Sequence, residues 1–158
     1  MRPSILITLA VMAALPSRAL LAQADDSNVT IVRHDEVSAA FARGMPIVEV
    51  GDYKIHASRR EGPGMAEIHT RDTDIAYVLQ GSATLVTGGT ALDVKPTGPE
   101  ELRGSAIRGG DTRRLEPGDV VVIPNGTPHW FKDVEAPFIY YVVKVRQARR
   151  QVAMETAP

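Results

Sequence analysis

Two short segments of the sequence carry side chains that could bind a divalent cation. In the first, Glu67 and His69 lie two residues apart in a segment typical of a β-strand, so both side chains leave the same face of the sheet. Asp74 follows close behind. In the second segment, His129 comes after a Pro-Asn-Gly turn that reverses the chain and begins another strand. Two imidazoles with one or two carboxylates, converging from neighbouring strands, are a suitable ligand set for a divalent cation.

The second segment resembles motif 2 of the cupin superfamily, usually written G-x5-P-x-G-x2-H-x3-N. Gly118, Pro124, Gly126 and His129 occupy the motif positions, and Asp133 stands at the position of the asparagine. The first segment resembles cupin motif 1, usually written G-x5-H-x-H-x3,4-E-x6-G.

In motif 1, His69 matches the second histidine and Gly81 the closing glycine. Glu67 stands in place of the first histidine, and Asp74 replaces the glutamate. The resemblance covers residues 52–145. It implies an all-β fold, the cupin-type double-stranded β-helix or jelly-roll barrel, here with one short N-terminal helix in a single-domain protein.

The resemblance also implies a metal site formed by Glu67, His69, Asp74 and His129. Asp74 is one methylene shorter than the expected glutamate, so it either binds the metal directly, binds through water, or orients His69. These ligand types suit Fe(II), Mn or Zn, and also Ni. Glu67 or Asp74, if not ligated, would transfer protons as a catalytic group.

Arg59 and Arg60 precede motif 1 and are the candidate substrate-binding residues. Whichever of the two points inward could bind a carboxylate or phosphate of a small molecule in the barrel.

Composition indicates one globular domain. The chain has 158 residues, of which 23% are charged and 44% hydrophobic, and its formal net charge is −1. This balance gives no indication of a nucleic-acid partner. Cysteine is absent, which excludes a disulfide.

The N-terminus is typical of a secretory signal peptide. A basic start at Arg2, an apolar run over residues 5–15 and a small-residue cleavage site at Ala22-Gln-Ala24 predict that residues 1–24 are removed. The mature protein is then expected to be periplasmic or secreted, with no membrane association after the leader is removed.

After the leader, residues 25–46 are expected to form a polar lead-in and one short helix that ends at Gly44 and Pro46. Residues 47–145 are expected to form the barrel, and residues 146–158 are expected to form a flexible tail. Residues 95–111 interrupt the strand pattern and are either a mobile surface excursion or a lid over the barrel. Short alternating segments predict strands at 47–50, 53–59, 66–70, 75–80, 83–87, 90–94, 112–115, 119–123, 129–132 and 138–145.

Strand phase predicts an apolar outer face. If Asp74 points into the barrel, Ile75, Tyr77 and Leu79 point to the opposite face. Such side chains are expected to be covered by another part of the chain or by a second subunit. The family resemblance favours a homodimer built on such faces.

Three functions are consistent with the sequence. The first is an enzyme that uses the metal to act on a small oxygenated molecule, either as a dioxygenase or as a redox-neutral lyase or isomerase. The second is a non-catalytic periplasmic protein that binds a small acid or sugar. The third is a β-fold whose metal site has decayed.

Overall fold

The computed structural model describes residues 29–147. The expected signal peptide and all but the first two residues of the expected tail lie outside this range. Arg146 and Gln147, the first two tail residues, continue the barrel: Arg146 ends the last strand and its guanidinium contacts Asp72 and Glu100. Within residues 29–147 no helix has the length and apolar character that a membrane crossing requires.

One short helix, α1, spans His34–Arg43 and precedes the strands, as expected. It starts where the Arg33 backbone N–H donates a hydrogen bond to Glu36 Oε2 at 3.0 Å. Acidic residues in the first turn and Arg43 in the last turn complement the helix dipole. The helix ends at Gly44, which adopts the left-handed conformation with φ of 68°.

The rest of the described chain is built from antiparallel strands, which confirms the all-β cupin-type barrel. The strands are β1 (Pro46–Glu49), β2 (Tyr53–Arg60), β3 (Ala66–His69), β4 (Asp72–Thr87), β5 (Thr90–Leu92), β6 (Lys95–Gly98), β7 (Glu101–Gly104), β8 (Ala106–Arg108), β9 (Asp111–Leu115), β10 (Val120–Ile123) and β11 (His129–Arg146).

Two long strands, β4 and β11, form the central antiparallel pair of the barrel. They pair in antiparallel register from His129 opposite Thr87 to Arg146 opposite Asp72. β11 also pairs with β2 and β3, while β4 also pairs with β9 and β10. Each long strand replaces two shorter strands that the sequence pattern predicts.

Gly81 lies inside β4, where the sequence pattern predicts a break. Its φ is +74°, and a Cβ at this position would lie 2.5 Å from the Pro137 carbonyl oxygen and 2.8 Å from that of Glu135. Only glycine fits a left-handed conformation this close to another backbone. The closing glycine of motif 1 therefore lets β4 pass the irregular part of β11 without ending.

The core lies in the barrel interior and is built around three aromatic rings. Phe131, Phe138 and Tyr140 lie with ring centroids 5.1 to 5.6 Å apart. Buried aliphatic side chains from β4, β9, β10 and β11 surround them: Ala76, Val78, Ala83, Leu85, Leu115, Ile123 and Val142. A second, smaller cluster joins Ala66, Val86 and Ile107, with Trp130 packed against it.

Residues 95–111 contain three strands, of which β6 and β7 extend the main sheet and β8 pairs with β5 in a separate two-stranded sheet. β7 pairs with β3 so that Arg103 lies opposite Glu67 and Glu101 opposite His69. These strands could not be predicted from the sequence, because the two prolines and four glycines of this stretch are typical of loops.

The outer face of β4 is apolar and exposed, in agreement with the predicted strand phase. Ile75, Tyr77 and Leu79 are 38%, 45% and 44% exposed, whereas Asp74, Ala76 and Val78 are buried. Val120 and Val122 of β10 lie opposite Tyr77 and Ile75 and are also exposed. We call the surface formed by Ile75, Tyr77, Leu79, Val120 and Val122 the outer apolar face.

Candidate metal centre

Three of the predicted ligands come together inside the barrel. Glu67, His69 and His129 are 8%, 8% and 2% exposed. One ligand atom from each lies within 4.8 Å of the others. Strand alternation places Glu67 and His69 on one face of β3, and the pairing of β11 with β3 places His129 directly opposite Glu67.

A short loop contact fixes His129 relative to His69. The backbone N–H of Gly126, in the turn before His129, donates a hydrogen bond to the His69 carbonyl oxygen at 2.7 Å. This hydrogen bond joins the two cupin motifs at the edge of the site, in addition to the strand pairings of β11 with β3 and of β10 with β4.

Both histidines present an Nε2 lone pair to the cavity. His129 Nδ1 lies 3.1 Å from the Thr127 carbonyl oxygen, which can only accept, so the proton is on Nδ1 and Nε2 is free to bind a metal. His69 Nε2 lies 2.9 Å from Lys144 Nζ, which donates to it. Burial lowers the pKa of both imidazoles below the ordinary value and favours their neutral form.

Glu67 is oriented by two arginines. Its Oε1 accepts hydrogen bonds from Arg60 Nη2 and from Arg103 Nη1, both at 3.2 Å. Its Oε2 is left facing His69 Nε2 at 3.7 Å and His129 Nε2 at 3.9 Å. Burial raises the pKa of Glu67, but the charges of Arg60 and Arg103 outweigh this effect, so its pKa lies below the ordinary value and the carboxylate stays ionised.

These three residues fit a divalent cation. Two ligands with bonds of about 2.0–2.2 Å to one ion lie at most about 4.4 Å apart. Both distances from Glu67 Oε2 to the imidazole nitrogens, 3.7 and 3.9 Å, fall below this limit. Two neutral imidazoles and one carboxylate are ligands that Fe(II), Mn and Zn all accept.

Asp74 lies in the same cavity but has a different partner. Its Oδ2 accepts a hydrogen bond from Lys144 Nζ at 2.6 Å and lies 3.4 Å from His69 Nε2. Its Oδ1 is buried without a hydrogen-bond partner among residues 29–147. Within this range, Asp74 does not belong to the cluster of convergent ligand atoms that joins Glu67, His69 and His129.

The two candidate substrate-binding arginines point in opposite directions. Arg60 points into the cavity, where its Nε donates to the Tyr140 hydroxyl at 3.1 Å and its guanidinium lies 4.5 Å from the centroid of the Phe131 ring. Arg59 points outward and pairs with Glu61 at 2.6 Å.

Three charged residues of the cavity, Glu101, Arg103 and Lys144, were not predicted from the sequence, and neither was His56. His56 Nε2 is buried without a hydrogen-bond partner among the described residues. The inward direction of Lys144 could have been predicted from the sequence, because it follows the inward-facing Tyr140 and Val142 at intervals of two residues. No such prediction was possible for Glu101 and Arg103, since β7 has no recognisable strand pattern.

Two adjoining cavities meet at this site. The inner one has a volume of about 220 Å³ and is lined by the candidate ligands together with Arg60, Arg103 and Lys144. The second, also of about 220 Å³, lies toward Asp72 and Glu100. His56, His69, Glu101 and Lys144 line both.

Comparison with known protein families gives one match that covers most of the chain. A family model described as Cupin matches residues 24–157. No curated protein is significantly similar in sequence.

Several solved structures are similar to this chain, two of them with a TM-score of at least 0.50. Hydroquinone 1,2-dioxygenase from a Sphingomonas species, solved with 4-hydroxybenzoate bound, has a TM-score of 0.53 and 18% identity, covering 79% of this chain and 85% of that chain. A Bacillus halodurans protein has a TM-score of 0.50 and 11% identity, covering 78% and 86%. A DMSP lyase from Ruegeria pomeroyi has a TM-score of 0.43 and 22% identity over 68% of this chain, which spans 43% of the lyase. At these identities the first two likenesses show the fold alone.

Proposed function

This chain belongs to the cupin family, and we propose that it is an exported metal-binding cupin and an enzyme that acts on a small oxygenated organic molecule. The observation that carries this proposal is the convergence of Glu67, His69 and His129 in a buried cavity. Fe(II), Mn and Zn are the expected metals, and Ni also suits the ligands.

The chain's own residues have separate roles in this proposal. Glu67, His69 and His129 would hold the metal, which when bound would polarise a carbonyl, enolate or phenolate oxygen as a Lewis acid. Arg60 and Arg103 orient Glu67 and keep it ionised.

Asp74 is the better candidate for moving a proton. Both oxygens of Glu67 are committed, one to the arginines and the other toward the imidazoles. Asp74 keeps one oxygen without a partner among the described residues, and its carboxylate lines the inner cavity. We therefore assign the general base to Asp74 and a ligand role to Glu67.

A non-catalytic binding protein for a small acid or sugar is the second candidate. It is favoured by the small size of the inner cavity, about 220 Å³, and by buried polar atoms of His56 and Asp74 that have no hydrogen-bond partner within residues 29–147. Such atoms could hold a ligand without changing it.

The metal content of the purified protein tests the proposal. We expect close to one divalent ion per chain in the wild type, and loss of most of it in Glu67→Ala and His129→Ala. His34→Ala is the matched control, because His34 is an exposed histidine at the start of α1. Full metal content in both cavity variants would rule out the assigned ligands.

Turnover distinguishes the two candidate functions. The metal-loaded protein would be incubated with a panel of small phenols, hydroxy acids and sugars, including 4-hydroxybenzoate, with and without oxygen. Product formed only with oxygen supports a dioxygenase, and product formed without oxygen supports a lyase or isomerase. Retention of a panel compound without product supports the binding protein.

Export rests on residues 1–24, which lie outside the described residues. We propose that this leader is cleaved after Ala24 and that the mature chain is periplasmic or secreted. Mass spectrometry of the protein from an expressing bacterium would give the N-terminal residue. An intact Met1 in the purified protein would overturn the proposal.

A homodimer is the proposed assembly. The outer apolar face exposes five large hydrophobic side chains on two adjacent strands. Such a contiguous apolar patch, unlike single exposed hydrophobic residues, marks an interaction surface. Pairing of two such faces would bury them in an isologous contact.

A further inference from the structure

Lys144 places a positive charge where a metal would have to bind. Its Nζ is 2.6 Å from Asp74 Oδ2 and 2.9 Å from His69 Nε2. The same His69 nitrogen is the one available to a metal. Lys144 and a divalent cation therefore compete for one lone pair.

Asp74 keeps Lys144 close to the site even after His69 is released. The ion pair between Lys144 and Asp74 is mostly buried, with side-chain exposures of 17% and 11%. Buried pairs of this kind are costly to break, because each charge would lose its partner away from water. A cation bound to His69 would thus share the cavity with the ammonium group.

The charges of the inner cavity show what would relieve this repulsion. Arg60, Arg103 and Lys144 contribute three positive charges, and Glu67, Asp74 and Glu101 contribute three negative ones. With its histidines neutral, the cavity is formally uncharged before a metal binds. A divalent cation would leave an excess of two positive charges in a cavity whose candidate ligands are buried.

We propose that Lys144 couples metal binding to the binding of a small anion, so that the substrate class is a carboxylate, a phenolate or a related oxyanion. This inference rests on the proposed metal site. An anionic oxygen beside the Lys144 ammonium would offset the excess charge of the metal-loaded cavity. By thermodynamic linkage, the anion then tightens metal binding by the same factor by which the metal tightens anion binding.

The test measures Mn(II) affinity by EPR of the free ion, using chelator-stripped wild-type protein in chloride and in acetate at matched ionic strength. Coupling between sites is typically about 5- to 150-fold. We expect acetate to tighten Mn(II) binding by about fivefold or more in the wild type. This comparison needs no variant.

Lys144→Met provides the second arm. Without the ammonium, Mn(II) should bind about tenfold more tightly in chloride, and acetate should add little. Lys132→Met is the matched control, since Lys132 is an exposed lysine on the same strand and its removal should change neither quantity. Circular dichroism would verify that each variant is folded.

The outcomes separate this inference from the proposed function. If Mn(II) binds to the wild type and to Lys144→Met with equal affinity and acetate has no effect in either, the inference about Lys144 is wrong while the metal site stands. If neither protein binds Mn(II), the metal site itself is wrong, and the inference fails with it.

Discussion

Glu67 and His129 lie directly opposite each other on β3 and β11, and Glu67 Oε2 is 3.9 Å from His129 Nε2. This pairing joins the two motifs across a strand interface. It also explains how a glutamate can stand where the motif has a histidine. A carboxylate on β3 reaches the same point in the cavity, provided that its second oxygen is neutralised, and Arg60 and Arg103 do this.

Removing Arg60 should destabilise the protein. In Arg60→Met, the buried Glu67 and the Tyr140 hydroxyl each lose a charged donor, which should cost about 1.5–3 kcal/mol for such hydrogen bonds. Urea unfolding of the metal-free protein measures the change. Arg59→Met is the matched control, because the exposed pair between Arg59 and Glu61 should contribute only about 0–1 kcal/mol. Equal losses in the two variants would contradict the role given to Arg60.

The metal-free protein should lose stability as the pH falls below about 6.5. Burial lowers the pKa of His56, His69 and His129 in the folded state, so the unfolded chain binds more protons in this range. Stability therefore rises with pH up to the ordinary histidine pKa and then levels off.

The decline should have a second, more acidic phase. The pKa of Glu67 is also lowered in the folded state, so its contribution is lost below the ordinary glutamate pKa of about 4.3. Urea unfolding at a series of pH values measures both phases. His129→Gln should flatten the first phase. A profile that is unchanged in this variant would show that His129 does not titrate as described.

Two glycines with the same backbone conformation should respond differently to alanine. Gly81 and Gly88 both have φ of +74°. A Cβ at Gly81 would lie 2.5 Å from the Pro137 carbonyl oxygen, whereas a Cβ at Gly88 would have no atom within 4 Å. Gly88→Ala should cost about 1–2 kcal/mol for the left-handed conformation. Gly81→Ala should cost clearly more, or prevent folding. Thermal unfolding compares them, and equal costs would show that β11 yields to the new methyl group.

Charge on the outer apolar face should separate the proposed dimer. Tyr77→Asp and Val122→Lys each place a charge at the centre of that face. We expect light scattering after size exclusion to give a dimer for the wild type and a monomer for both variants. Val94→Lys, at an exposed apolar residue between β5 and β6 and not on the two strands of this face, should remain a dimer. A monomeric wild type would refute the assembly.

Much of the fold follows from local patterns in the sequence. Alternation in β4 correctly separates the inward Asp74, Ala76 and Val78 from the outward residues. Polar and apolar types, together with the period of two, are sufficient for such a prediction. The break predicted near Gly81 is wrong, because a glycine at a turn and a glycine beside a bulge look alike in the sequence.

Only part of the candidate site could be predicted from local sequence patterns. Glu67, His69 and His129 stand at the positions of recognisable motifs, and they come together in space. Arg103 and Lys144 lie 36 and 75 residues from the groups they contact, Glu67 and His69. Such partners depend on strand register across the barrel, which no local pattern specifies.

The irregular stretch of β11 changes which residues face the interior. His129 and Phe131 are buried at odd positions, whereas Phe138, Tyr140 and Val142 are buried at even ones, and the register shifts lie between Phe131 and Tyr140. Lys144 continues the even-numbered alternation of Phe138, Tyr140 and Val142, and its side chain therefore faces the interior. Loss or gain of a single residue in this stretch would rotate every later side chain by half a turn and carry the Lys144 charge to the outside. A one-residue insertion or deletion between Phe131 and Tyr140 should therefore remove the inward-facing lysine even if every other side chain of the strand is kept.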